Sequence, residues 1–163
     1  MTTTHAPRRP VAAVITDGPE AVAVARCAAR IAVEQDRPVV LLVPMLRSAF
    51  TADAVIAARV HQEACREAAA IAARTTPTLE SAGISARVEV VWHRGCSFQR
   101  ARQVRAIALA HAAHRIGAAV IVTRAEVPVP TVQHGTEVVL VAEVGGSLLT
   151  VRRPARSRRL AEL

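Results

Sequence analysis

The stretch that decides the fold runs from Ala118 to Thr136 and reads A-A-V-I-V-T-R-A-E-V-P-V-P-T-V-Q-H-G-T. It opens with an apolar run, 118–122, of the kind found in strands that are buried on both faces of a sheet. The segment V-T-R-A (122–125) is then separated by nine residues from the pair Gly135-Thr136. The apolar run therefore predicts a strand, and the residues after it predict a connection that starts beyond its carboxyl end.

The residues before this stretch alternate between strand and helix patterns. Short apolar runs predict strands, and apolar residues repeating on one face predict amphipathic helices. The predicted strands are 10–15, 39–43, 87–92 and 118–122, and the predicted helices are 20–34, 51–73 and a segment that begins after 95–97 and is closed by Gly117. Strands that alternate with helices indicate an α/β fold with a parallel sheet and right-handed crossovers.

The segment from 136 to 152 admits two interpretations. In the first, 136–144 is a helix and 148–152 is a fifth parallel strand. In the second, V-V-L-V (138–141) and S-L-L-T-V (147–151) are the arms of a β-hairpin, because Gly145-Gly146 suits a two-residue turn. We favour the helix, since tertiary context often overrides the β-propensity of branched residues.

In order and spacing, several segments together resemble the universal stress protein family over roughly residues 10–154. The segments are V-I-T-D-G-P-E (14–20), Gly95, V-T-R-A with nine residues and G-T (122–136), and L-L-T-V-R-R-P (148–154). The family motif is G-x-x-G, nine residues and G-[S/T], so Val122 and Ala125 stand where it has glycines. The resemblance implies a doubly wound, five-stranded parallel sheet of strand order 3-2-1-4-5, flavodoxin-like or adenine-nucleotide alpha-hydrolase-like. It also implies a homodimer through the edge strand near 148–151.

Carried over by position, the resemblance implies a candidate nucleotide site that would hold ATP or another adenine nucleotide. Asp17 would contact the nucleoside, Val43 would pack by the base, and Gly135-Thr136 would contact the phosphates. Arg124 could pair with a phosphate in place of the lost amide contacts. For Asp17 a helix-capping role is as good an account, and Gly135-Thr136 could be a plain helix start. A solvated arginine is the blander account of Arg124.

The side chains at Val122 and Ala125 obstruct close approach of a phosphate to the backbone. We therefore expect weakened or lost ATP binding and no resident cofactor. We further expect a cytoplasmic, non-catalytic regulatory or protein-binding module. The alternatives are an adenine-nucleotide-binding stress sensor and a nucleic-acid-associated basic protein. Reversion of Val122 and Ala125 to glycine would test whether their side chains alone block ATP.

Composition limits the other classes of function. The chain has 163 residues and a net charge of +8, and its basic residues are all arginine. Aromatic residues make up only 2% of it, which leaves few platforms for stacking bases, so nucleic acid is not the expected partner. We expect a flexible N-terminus over 1–9, one domain over 10–154 and a basic tail over 155–163.

The histidines and cysteines predict neither a disulfide nor a metal site. Three cysteines, Cys27, Cys65 and Cys96, have no paired spacing, which fits reduced thiols. His61 and Cys65 lie four apart on a predicted helix, but His93 and Cys96 should lie too far away to complete a four-ligand zinc site. Cys96 near a helix start beside arginines could also be a reactive thiol.

Overall fold

The computed structural model describes residues 8–47, 52–95, 98–124, 135–144 and 147–154. Its strands are β1 (Val11–Val14), β2 (Val39–Arg47), β3 (Ala86–Arg94), β4 (Val120–Arg124), β5 (Glu137–Val144) and β6 (Ser147–Pro154). Its helices are α1 (Ala21–Gln35), α2 (Ala54–Ala73), α3 (Thr76–Glu80) and α4 (Phe98–Arg115). The α/β class and the four strands predicted before residue 124 are confirmed.

The strands form one sheet of order β3-β2-β1-β4-β5-β6. The first five strands are parallel to their neighbours, and β6 is antiparallel to β5. The order in which strands are added to the sheet reverses between β1 and β4. Strands β2 and β3 lie on one side of β1, and β4 lies on the other side. In open α/β sheets, the crevice at such a switch point is where ligands bind.

The favoured helix over 136–144 is wrong, and so is the five-stranded count. Residues Glu137–Val144 form β5, and β6 pairs with it in a hairpin whose last register pair is Val144 and Ser147. Val139 and Val141 are buried, while Val138 and Leu140 alternate with them on the other face. A run of β-branched residues with this period of two fits a pleated strand better than a helix.

The two faces of the sheet are covered differently. Helix α1 packs on β1 and β4, and α2 packs on β2 and β3, so these helices share a face with α3. Helix α4 lies on the opposite face, mainly against β3 and β2. The described part of that second face is therefore more open over β5 and β6, where Leu149 and Val151 are half exposed.

Local signals explain where the helices stop and start. Asp53 caps α2, because its side chain accepts hydrogen bonds from the backbone N–H groups of Val55 at 2.8 Å and Ile56 at 3.3 Å. Gly117, with φ of 65°, ends the last turn after α4 as the sequence predicts. Among the described helices, none is both long and apolar enough to span a bilayer.

Arg9 connects the segments that precede β4 and β5, at the amino ends of the parallel strands. Its guanidinium donates to the carbonyl oxygens of Gly117 at 3.0 Å, Ala118 at 2.7 Å and Gly135 at 3.2 Å. It also donates to Oγ1 of Thr136 at 3.3 Å. Arg8 in turn pairs with Asp36 at 2.7 Å. The last two residues of the expected flexible N-terminus are thus anchored to the sheet, and residues 1–7 and 155–163 lie outside the described residues.

Candidate functional site

The switch-point crevice lies beyond the carboxyl ends of β1 and β4. Residues 15–20 lead from β1 to α1 on one side, and Arg124 ends β4 on the other. The nitrogen Nη1 of Arg124 lies 3.0 Å from Oε1 of Glu20, so an ion pair joins the two sides. This pair spans the space that a ligand of an open α/β sheet normally occupies.

Glu20 is the central residue of the crevice. Its Oε1 also accepts a hydrogen bond from Oγ1 of Thr16 at 3.3 Å, and its side chain is only 14% exposed. Glu20 stands at the N-cap position of α1, where unpaired backbone N–H groups and the helix dipole favour a negative charge. Its carboxylate therefore places the chain's own anion where a helix start could otherwise attract a phosphate.

Gly18 makes room for this carboxylate. A Cβ on Gly18 would overlap the carboxyl carbon and both carboxylate oxygens of Glu20. Glycine at position 18 therefore allows the Glu20 side chain to lie close to the backbone. The same close approach could have served a ligand only if Glu20 moved away.

Asp17 lies past the end of β1, where the sequence places it, but it contacts a different part of the chain. Its Oδ1 pairs with Nη2 of Arg74, after α2, at 2.6 Å, and both side chains are at least half exposed. Glu20, not Asp17, is at the N-cap position of α1, and no side chain there makes a capping hydrogen bond. The helix-capping interpretation of Asp17 is therefore wrong, and its carboxylate is bound in a surface ion pair.

Val43 and Val122 are wholly buried strand residues. Both belong to the core cluster formed with α1 and α2, and Val122 pairs in register with Ala13 and Val139. In this structure Val122 therefore contributes to the core. Ala125, the other residue that replaces a motif glycine, lies outside the described residues.

Gly135 and Thr136 lie at the amino ends of the parallel strands, whereas Asp17 lies beyond their carboxyl ends. They precede β5, whose first residue, Glu137, is in register with Val120 at the start of β4. Val120 is in turn in register with Val11, and β1 runs on from there toward Asp17. At about 3.3 Å per residue, roughly 15 Å or more separates the two ends of the proposed nucleotide site.

Gly135 and Thr136 also have structural partners. Gly135 adopts a left-handed φ of 87°, which favours glycine, and its carbonyl accepts from Arg9. The Oγ1 of Thr136 donates to the carbonyl of Ala118 at 3.0 Å. The expected helix start is absent because β5 begins there, and both residues hold the amino end of that strand. The structure thus brings Arg124 to the crevice and leaves Gly135 and Thr136 outside it.

Glu20 is the residue that sequence reasoning missed, although it ends the quoted segment V-I-T-D-G-P-E. The available signal was an acidic residue at the start of a helix, which in an anion-binding site would oppose the ligand. Its partner Arg124 is a predicted site residue, but the two accounts that the sequence offers for it are a phosphate partner and a solvated side chain. Only the folded chain shows that these two residues, 104 positions apart, neutralise each other.

Comparison with solved structures finds similarity to universal stress proteins. A universal stress protein from Archaeoglobus fulgidus is 16% identical, with a TM-score of 0.49 and coverage of 71% of this chain and 73% of that one. A universal stress protein in complex with cAMP is 16% identical, with a TM-score of 0.49 and coverage of 72% and 77%. A universal stress protein family member from Burkholderia pseudomallei is 17% identical, with a TM-score of 0.45 and coverage of 68% and 76%.

The chain is similar to these universal stress proteins over 68–72% of its length. No family model matches the sequence, and no curated protein matches it. At 16–17% identity and with TM-scores below 0.5, this similarity assigns no function to the chain.

Proposed function

We propose that this chain is a universal-stress-protein-like, non-catalytic regulatory or protein-binding module that has lost ATP binding at the switch-point crevice. The observation that carries the proposal is the half-buried carboxylate of Glu20, held by Arg124 and Thr16. The charges of Glu20 and Arg124 neutralise each other, so a ligand or a reacting group would have to compete with this ion pair. The crevice then stabilises the junction between β1, α1 and β4.

The electrostatics of Glu20 disfavour a nucleotide. A phosphate about 4 Å from a carboxylate is repelled by about 4 kcal/mol at the effective dielectric constant of about 20 typical near protein surfaces. Binding would also require Arg124 to exchange its carboxylate partner for the phosphate. The N–H groups near Gly135 could not offset this repulsion, because they lie at the amino ends of the strands, away from the crevice.

We expect no binding of Mg-ATP by the wild-type protein at millimolar nucleotide. Isothermal calorimetry and a thermal-shift assay provide the measurement. The variant Glu20→Gln keeps the size of the side chain and removes its charge, and it too should fail to bind because Gly135 and Thr136 remain distant. Saturable heat from the wild-type protein would overturn the proposed loss of ATP binding, and binding by Glu20→Gln alone would identify the carboxylate as the only barrier.

A protein-binding role is supported by the outer hairpin. Strand β6 is the last strand of the sheet, and Leu149 and Val151 are 52% and 50% exposed. In register, Leu149 pairs with Ala142 and Val151 pairs with Leu140, so these residues form one apolar stripe. An apolar edge strand tends to pair with another chain. We propose that a second copy of this chain pairs there, forming a homodimer.

The variant Val151→Glu should be monomeric at concentrations where the wild-type protein is a dimer of the 17.3 kDa chain. A charge placed in the stripe would have to be desolvated on association, which is costly. Light scattering coupled to size-exclusion chromatography gives the mass. The control is Val33→Glu, the same change at an exposed position on α1. Equal masses for the wild type and Val151→Glu would contradict this interface.

A small polar ligand remains the second candidate because of Thr123. This residue of β4 is fully buried, yet within the described residues its Oγ1 has no hydrogen-bond partner. Such a group costs about 1–3 kcal/mol when it is left unsatisfied, and a ligand hydroxyl or carbonyl could satisfy it. Native mass spectrometry of the purified protein would detect a copurifying ligand, and an unliganded mass would remove this candidate.

A further inference from the structure

We propose that the cleft between α3 and β3 is a binding site for a small apolar molecule that carries an amine. The cleft has a volume of about 370 Å³. Pockets that bind small ligands usually measure about 300–1000 Å³. The cleft lies near the start of β3, whereas the switch-point crevice lies beyond the carboxyl ends of β1 and β4. The site is therefore separate from the crevice and does not depend on the proposed function.

The floor of the cleft is apolar. Leu41 of β2 and Val88 of β3 are register partners, and Leu79 of α3 lies beside them in the cleft. Leu41 and Leu79 are each 2% exposed, whereas Val88 is 43% exposed. The face of the sheet is thus open at Val88, because β3 is the last strand on this side. A hydrocarbon or aromatic group in the cleft would remove this apolar surface from water, which favours binding.

The wall opposite β3 is fixed by backbone hydrogen bonds. The N–H group of Gly83 donates to the carbonyl of Glu80 at 2.8 Å, and that of Ile84 donates to the carbonyl of Leu79 at 3.0 Å. Gly83 has a left-handed φ of 70°, so this turn is a Schellman motif after α3. Its usual apolar contact is available here from Leu79 and Ile84, which both line the cleft. A wall that is ordered before binding lowers the entropic cost of taking up a ligand.

Glu80 determines the charge of the cleft. It is the only charged residue among the described residues that line the cleft, where Thr76 and Ser85 add uncharged hydroxyl groups. Glu80 is exposed, and within the described part of the chain its carboxylate has no ion-pair partner. A cation would be attracted to this carboxylate, and an anion such as a nucleotide would be repelled. The lining therefore favours an ammonium group joined to an apolar body.

Titration of the ¹⁵N-labelled full chain with phenylbutylamine tests the site by two-dimensional NMR. The probe has an apolar ring and chain, and its ammonium group is protonated at neutral pH, as that of lysine is. The amide signals of residues 79–88 should shift saturably with a Kd of about 0.1–1 mM, as expected for so small a ligand. The neutral phenylbutanol should bind about fivefold more weakly, because an exposed charge pair contributes about that factor. The anionic phenylbutyrate should bind more weakly still.

Matched variants separate recognition of the charge from filling of the cleft. Glu80→Gln should bind the amine and the alcohol equally, whereas Glu63→Gln, at an exposed position of α2, should keep the preference for the amine. Val88→Trp should fill the cleft and abolish binding of both compounds. Val33→Trp, at an exposed position of α1, should bind them as the wild type does.

Three results would each overturn the proposal. The first is the absence of saturable shifts in residues 79–88 at millimolar amine. The second is an equal Kd of the wild-type protein for the amine and the alcohol, which would show that the carboxylate takes no part. The third is a Glu80→Gln variant that still prefers the amine.

Discussion

The variant Val122→Gly should unfold with a free energy lower than that of the wild type by about 3 kcal/mol, and it should bind no ATP. Val122 is wholly buried in β4 and contributes to the core between the sheet and α1. Loss of a buried valine side chain costs about 1.5–3 kcal/mol, and glycine within a strand adds about 0.5–1 kcal/mol through backbone entropy. Chemical denaturation monitored by circular dichroism gives the free energy, and calorimetry gives the ATP result.

Two controls separate the contributions to this loss. Val122→Ala removes most of the side chain while keeping a Cβ, so it isolates the packing term. Val88→Gly makes the same substitution at an exposed position of β3, where about 1 kcal/mol is expected. ATP binding by Val122→Gly would show that the valine side chain blocks a working site, contrary to the distant placement of Gly135 and Thr136.

The variant Arg9→Ala should lose about 2–3 kcal/mol of stability and loosen the start of β5. Arg9 donates hydrogen bonds to three carbonyl oxygens and one hydroxyl, on the α4–β4 turn and on Gly135-Thr136. Hydrogen bonds from a charged group are worth about 1.5–3 kcal/mol when buried, and solvent reduces the value of those at the surface. Denaturation measures the loss, and hydrogen exchange of the Glu137 amide, which donates to Ala119, reports on β5.

Arg8→Ala is the matched control for this prediction. Arg8 makes an ion pair with Asp36 and contacts two carbonyl oxygens, but these groups lie at the surface after α1. A surface pair of this kind contributes about 0–1 kcal/mol. Arg9→Lys should recover only part of the stability, because one ammonium cannot reach all the acceptors that a planar guanidinium reaches. Equal losses for Arg8→Ala and Arg9→Ala would contradict the special role of Arg9.

The sequence predicts the fold well where a strand is a continuous apolar run. The apolar runs of β1, β2 and β4 are buried on both faces, so their pattern leaves no alternative to a central strand. For the segment 136–144 the family spacing predicts a helix, whereas its β-branched residues form a strand. Its true partner, β6, is only two residues further along the chain, and the hairpin interpretation already contained the correct answer.

The candidate site was less predictable because it depends on contacts between distant residues. The position of Asp17 past β1 follows from the local pattern, but its pairing with Arg74 does not. Likewise, the separation of Gly135 from Asp17 depends on whether residues 136–144 form a helix or a strand. Because residues 137–144 form a strand and not a helix, Gly135 and Thr136 lie at the amino ends of the strands, away from Asp17.

The Glu20–Arg124 pair should constrain how these two positions change in evolution. Loss of either charge would leave the other half-buried without its counter-ion, which selection should oppose unless both change together. Related chains should therefore co-vary at these positions, with Gly18 retained wherever the glutamate is present. Chains that carry the pair would then be recognisable from these three residues.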